Sequence, residues 1–117
     1  MSTSPVTAEP ITWSEFDRVL MVAGTVLRIE PFPEARRPAY KVWVDFGPYG
    51  ARKTSAQIVD LYAPQDLVGR QIIGVINFPE KQIGPFKSQF LLTGVYTEAG
   101  VVVSALERPV PNGSRLG

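Results

Sequence analysis

Three groups of side chains carry the chemistry this sequence can offer. Lys53, Ser55 and Gln57 recur at every second position, so an extended chain presents a cation, a hydroxyl and an amide on one face. Downstream, Asn77, Phe78, Lys81, Gln82, Phe86, Lys87 and Ser88 interleave cations and amides with aromatic rings. Arg36 and Arg37 are adjacent, so on an extended segment they diverge and only one is expected to face a ligand. Such groups grip an extended polymer, nucleic acid or peptide, and suit that task better than bond breaking. The chain has no histidine and no cysteine. That removes the commonest general base, the thiolate nucleophile and the thiolate metal site. Asp45, Asp60 and Asp66 have no acidic partner at helix spacing, so a carboxylate pair is not expected either. The expectation is a binding protein with no catalytic residue, no metal and no cofactor.

Each group also has a plainer reading. Alternating polar residues describe any solvated strand face, and Phe78 and Phe86 are ring systems of the kind usually packed. Asn77 stands where an apolar strand would normally continue, so its amide either pins the next loop or is offered to a ligand.

The elements that must position these residues follow from composition and pattern. The 117 residues suffice for one domain with its own core, and 44% hydrophobic with 20% charged residues is ordinary globular composition. Eleven prolines and ten glycines favour short strands and turns over long helices. Residues 1–10 are polar, read as a loose tail without the features of a signal peptide, and residues 11–117 as a single domain. No apolar run approaches the roughly 20 residues that span a bilayer, so no membrane insertion and a cytoplasmic location are expected. The net charge of +1 is uneven: residues 1–35 sum to −3, residues 36–53 to +4 and residues 70–90 to +2. Brought together, the two basic regions would form a positive patch; apart, they are solvated loops.

Thr12-Trp13-Ser14-Glu15 fits a capping box, predicting a helix of one or two turns over Trp13–Arg18. Val19–Phe32 reads as a long strand bent or bulged at Gly24. Tyr40, Val42, Val44 and Phe46 alternate with Lys41, Trp43 and Asp45, a half-buried strand with Trp43 on its polar face. That ring calls for cover by a partner chain or a loop. A turn at Gly47–Gly50 leads to a strand over Arg52–Val59, and Tyr62–Gly69 reads as one helical turn. Ile72–Phe78 and Phe90–Val95 read as buried strands flanking a polar connection, Pro79–Gln89, with a turn at Gly84-Pro85. Val101–Leu106 is the last strand. Arg108–Gly117 is irregular, with Val110 and Leu116 as apolar anchors against the body or a partner.

The predicted class is all-β: a small antiparallel OB-fold barrel with a short N-terminal helix and one helical turn between strands three and four. The residues then permit a sharper step. Gly24-Thr25-Val26, Glu30–Gly47, KTSAQI from Lys53, LYAPQDLVGRQ from Leu61, NFPEKQIGPFKSQ from Asn77 and RPVPNGSRL from Arg108 resemble the tRNA-binding-domain family in collinear order. Within it they are more similar to the CsaA group of export-related chaperones than to the domains appended to methionyl- and phenylalanyl-tRNA synthetases. The resemblance implies a homodimer without catalytic activity, and its loop pattern implies Ser88 and Lys81 as ligand contacts. Its implied partners are tRNA, or unfolded and preprotein segments together with export machinery. Two positions depart from the family pattern. Leu20 and Val22 replace an Asp and an Arg, read as an ion pair exchanged for apolar packing, and Gln89 stands where the CsaA group tends to carry Glu. The apolar faces of Ile72–Phe78, Trp43 and the C-terminal anchors further predict an isologous dimer. Its interface is expected to use Trp13, Phe16, Trp43, Val110 and Leu116.

Overall fold

A computed structural model describes residues 4–117; Met1–Thr3, the start of the expected tail, lie outside the described residues. The capping box forms as the sequence requires. Thr12 Oγ1 accepts from the Glu15 amide at 3.1 Å and Glu15 Oε1 accepts from the Thr12 amide at 2.9 Å, opening α1 (Trp13–Asp17). The chain then enters β1 (Met21–Pro31), the central strand, which pairs antiparallel with β2 (Tyr40–Asp45) on one side and β4 (Gln71–Val75) on the other. A 3-10 turn at Gly47–Tyr49 joins β2 to β3 (Ala51–Ala56), and a second one at Pro64–Asp66 precedes β4.

The bulge in β1 falls between Val26 and Arg28, at Leu27, and not at Gly24. Gly24 is regularly paired with Ile72, and its role is steric. A Cβ there would lie 2.5 Å from Val44 Cγ1 and 2.6 Å from Phe46 Cδ1. The glycine makes room for Phe46, which is fully buried and meets Phe90 edge-on at 4.9 Å.

Pro79–Gln89 is not a plain loop. It folds into a hairpin of β5 (Lys81–Ile83) and β6 (Phe86–Ser88), turning at Gly84 with φ +54°. The expected strand Phe90–Val95 is split. β7 (Leu91–Leu92) stays on β4, Thr93 hands its N–H and hydroxyl to the Ile73 carbonyl, and β8 (Gly94–Thr97) leaves to pair with β9 (Gly100–Val103). The third strand likewise ends at Ala56, three residues short of the expectation, and the last strand ends at Val103.

The main sheet runs β3-β2-β1-β4-β7. Its two edges approach where the Gln89 amide donates to the Lys53 carbonyl at 2.8 Å, nearly closing an antiparallel barrel of OB-fold type. Inward residues Val22, Val26, Ile29, Val42, Val44, Phe46, Ile72, Ile76 and Phe90 form its core. Leu20 packs on that core and Val22 is fully buried, so the two positions that depart from the family pattern are filled by apolar packing. The C-terminal segment is pinned to the body. Gly113 and Leu116 donate to the carbonyls of Ala23 and Met21, and the Ala23 amide donates to Ser114. Asn112 Oδ1 accepts from Thr25 Oγ1 and Gln71 Nε2, both at 2.9 Å.

Candidate nucleic-acid interface

The outer face of β1, β2 and β3 is built by a change of parity. Val22, Gly24 and Val26 point inward, so strict alternation would send Arg28 into the core and Ile29 out. The extra residue at Leu27 reverses this: Ile29 is buried, and Arg28 emerges directly opposite Trp43 of β2. The Arg28 guanidinium carbon sits 3.8 Å from the centre of the Trp43 ring, and its Nε lies 3.1 Å from Glu30. With the Arg28 side chain 58% exposed, its cation–π contact contributes roughly 0.5–1 kcal/mol, and its ion pair less than about 1 kcal/mol. The guanidinium is therefore held lightly.

Trp43 is covered by the protein's own residues, Arg28 and the hairpin. Phe86 of β6 meets the Trp43 ring edge-on at 6.2 Å and tilts against Phe32 at 5.3 Å. Phe86 is itself buried. Over this aromatic cluster lie two more cations, Lys41 Nζ at 4.9 Å from Phe32 and 5.5 Å from Phe86, and Lys53 Nζ at 4.9 Å from Phe86. Three cations thus share one aromatic bed. Both ammonium groups lie over the rings, on side chains that are only half-buried.

The seam below this face is sealed by hydroxyls. Thr54 Oγ1 donates to the Phe90 carbonyl at 2.6 Å, which spends its single proton. The 2.6 Å contact between Thr54 and Ser88 must then carry the Ser88 proton, while Ser88 Oγ accepts from the Ser55 amide at 3.1 Å. Ser88 is buried with its proton committed to Thr54, so it fastens β6 to β3. Asn77 is exposed but also bonds to backbone: Oδ1 accepts from the Leu20 amide at 3.0 Å and Nδ2 donates to the Arg18 carbonyl at 2.6 Å. It pins the junction between α1 and β1.

Of the other sequence candidates, Lys81, Gln82 and Lys87 are exposed on the β5–β6 hairpin, with Gln82 Nε2 donating to the Gly84 carbonyl at 2.7 Å. Phe78, just before the hairpin, is 55% exposed. Arg36 and Arg37 are exposed in the connection between β1 and β2. Arg37 and Gln57, together with Ser55, line a cleft of about 890 Å³ running from the end of β3 to β7 and β8. Trp13 is 85% exposed, Leu116 is partly exposed, and Phe16 and Val110 are half-buried. Val110 is tied through its backbone to both ends of the Gln71 amide.

Arg28, Phe32 and Lys41 share this face and were not among the sequence candidates. Lys41 was legible, since it shares the polar side of β2 with Trp43. Arg28 was not, because the bulge that re-aims it has no glycine to announce it. Gln89 is a fourth: Oε1 accepts from the Lys53 amide at 3.1 Å and Nε2 donates to Glu80 at 3.0 Å. An ionised glutamate could not make that second bond.

Comparison with known proteins agrees with this geometry. The family model described as "Putative tRNA binding domain" matches residues 21–115. The chain belongs to that family. Among solved structures, the chaperone CsaA from Bacillus anthracis str. Ames is 38% identical, with 93% of this chain and all of that one covered and a TM-score of 0.87. CsaA from Picrophilus torridus is 33% identical at the same TM-score, over 92% of this chain and all of that one. A MetRS-related protein from Pyrococcus horikoshii is 30% identical, covers 94% of this chain and all of that one, and has a TM-score of 0.82. Methionine–tRNA ligase 1 of Bacillus anthracis is 32% identical over 111 residues, which is 93% of this chain but only 16% of that protein. The chain therefore spans about a sixth of the length of such relatives. No helix among the described residues is long and apolar enough to cross a membrane.

Proposed function

We propose that this domain is a non-catalytic RNA-binding module that grips tRNA through its phosphate backbone, recognising shape and not base sequence. The observation that carries the reading is the convergence of Arg28, Lys41 and Lys53 on one aromatic bed. It occupies the outer face of β2 and β3, the surface through which OB-folds hold oligonucleotides, flanked by the connections that usually assist. In this reading the exposed Arg36 or Arg37 from the β1–β2 connection, and Lys81 and Lys87 from the hairpin, add to the positive surface. Base-independent contacts of this kind position a nucleic acid without reading it.

The domain acts as an isologous homodimer in this reading, with Trp13, Phe16 and Leu116 in the interface. Support comes from the exposure of Trp13 beside the C-terminal segment, which Arg115 ties to α1 through the Asp17 carbonyl. Two copies would double the cationic surface offered to one tRNA. Sedimentation at micromolar concentration checks this: a dimer is expected, Trp13→Glu should leave folded monomer, and monomer in the parent protein refutes it.

A second reading has its own observation. The cleft between the end of β3 and β7–β8 is open and mixed polar and apolar, and beside it Tyr96 is 92% exposed. With the likeness to CsaA chaperones, this supports a holdase for extended preprotein segments. Salt separates the two. Binding of tRNA should weaken steeply from low to high salt, while apolar capture of a denatured protein should change little. If tRNA does not bind at low salt and aggregation of a denatured protein is suppressed, the chaperone reading replaces the first.

A further inference from the structure

We propose that Trp43 is a stacking site for an unpaired nucleobase, with the Arg28 guanidinium as its displaceable cover. The inference rests on the RNA-binding reading and adds the class of nucleotide that the face prefers. Its basis is an asymmetry around one ring. Phe86 stands at 85° to Trp43 with centroids 6.2 Å apart, so it does not stack flat on the indole, and a broad face of that ring carries a different group. That occupant is the guanidinium at 3.8 Å, itself a flat group on a side chain that is 58% exposed. A nucleobase is the other flat group that fits such a surface, and stacking on tryptophan needs no particular base identity.

The bulge at Leu27 makes the arrangement specific. It leaves Ile29 in the core and sets Arg28 directly across from Trp43. Arg28 has an alternative task the moment RNA arrives. Its neighbours on this face are Lys41 and Lys53, both cations, so an incoming phosphate chain is drawn to the same place. When the guanidinium turns outward to a phosphate, it gives up Trp43 and its light pairing with Glu30. The ring is then free at the position where the adjoining base arrives. Stacked bases in a duplex cannot offer their faces, so the site selects loops and single-stranded ends over paired stems.

The test uses the full chain labelled with 5-fluorotryptophan. Its two tryptophans, Trp13 and Trp43, give two 19F resonances, assigned with Trp43→Phe. Binding is followed in parallel by fluorescence anisotropy. Saturating single-stranded RNA is expected to shift the Trp43 resonance by ring-current shielding. Inorganic polyphosphate, which displaces Arg28 but brings no base, should leave it without that shielding. Trp43→Leu should lower affinity for single-stranded RNA about tenfold with the salt slope unchanged, because no phosphate contact is lost. Arg28→Ala should lower the slope by about one unit and leave the ring-current shift in place. Melting curves of both variants guard against a folding defect, and the wild-type 19F arm needs no substitution at the site. RNA that binds by anisotropy but moves the Trp43 resonance no more than polyphosphate does overturns the stacking site and leaves the RNA reading standing. Failure of any RNA to bind at low salt overturns both.

Discussion

Removing the charges of Lys41 and Lys53 without removing their stems tests the cationic face most directly. Both ammonium groups lie over aromatic rings, so alanine would uncover Phe86 as well as delete a charge. Methionine keeps apolar cover on the ring and loses only the cation. The two lysines make three cation–π contacts of roughly 0.5–1 kcal/mol each, so the Lys41→Met/Lys53→Met variant should remain folded with at most about 3 kcal/mol of destabilisation. Each phosphate contact contributes about 0.7 to 0.9 to the slope of log affinity against log salt. Two contacts therefore amount to about 1.4–1.8 units of slope. Between about 50 and about 200 mM salt, the parent protein should lose roughly ten times more affinity than the variant does. Anisotropy of labelled tRNA over that range reads the slope, and Arg108→Met serves as a control, since Arg108 pairs with Glu107 beyond β9. A double variant with the parent slope would refute the assignment of this face, whatever its absolute affinity.

Three further outcomes are expected. Gly24→Ala should cost about 1–3 kcal/mol by driving a methyl group into Val44 and Phe46, and Phe46→Leu in the same chain should recover part of it. Strictly additive melting data would show that the close approach is not the cause. Phe86→Ala, by removing a buried ring packed on Phe32 and Trp43, should cost about 3 kcal/mol and loosen the hairpin that carries Lys81 and Lys87. An unchanged urea midpoint would refute that packing. Deleting residues 108–117 should destabilise the monomer by about 3 kcal/mol, because it removes three backbone bonds to β1 of about 1 kcal/mol each. Loss of dimer with unchanged stability would mean the tail serves assembly alone.

What the sequence made legible was whatever depends on neighbours a few positions away. The capping box at Thr12 and Glu15 is local chemistry, and it forms. The alternation of β2 is local too, and it places Val42 and Val44 inside and Lys41 and Trp43 outside. Errors arose where a distant partner decides. Gly24 looked like a bulge because glycine in a strand usually marks one, yet its reason is a ring from β2's end that approaches across the sheet. Leu27, an unremarkable residue, carries the bulge because Ile29 must reach the core after Val26. Phe90–Val95 reads as one strand, but the carbonyl of Ile73 holds Thr93 and lets β8 depart to another partner.

The same logic explains which candidates have exposed side chains and which are engaged within the protein. Exposed charges on the β1–β2 connection and the β5–β6 hairpin, Arg36, Lys81 and Lys87, can be suspected from composition because nothing else needs them. Polar residues at strand ends cannot be sorted that way. Ser88 and Asn77 look like ligand groups in sequence, and each is consumed by backbone some 33 to 59 residues away. Their service is indirect: Ser88 locks the hairpin to β3, which sets Phe86 under Lys41 and Lys53. If that lock holds the cations in place, Ser88→Ala must leave an unpaired Ser55 amide and a Thr54 hydroxyl with one partner fewer, at a cost of about 1–3 kcal/mol. It must also lower tRNA affinity without changing the salt slope, because no cation is lost and only its placement suffers. A fall in slope would instead mean that the lysines leave the interface altogether when β6 comes free.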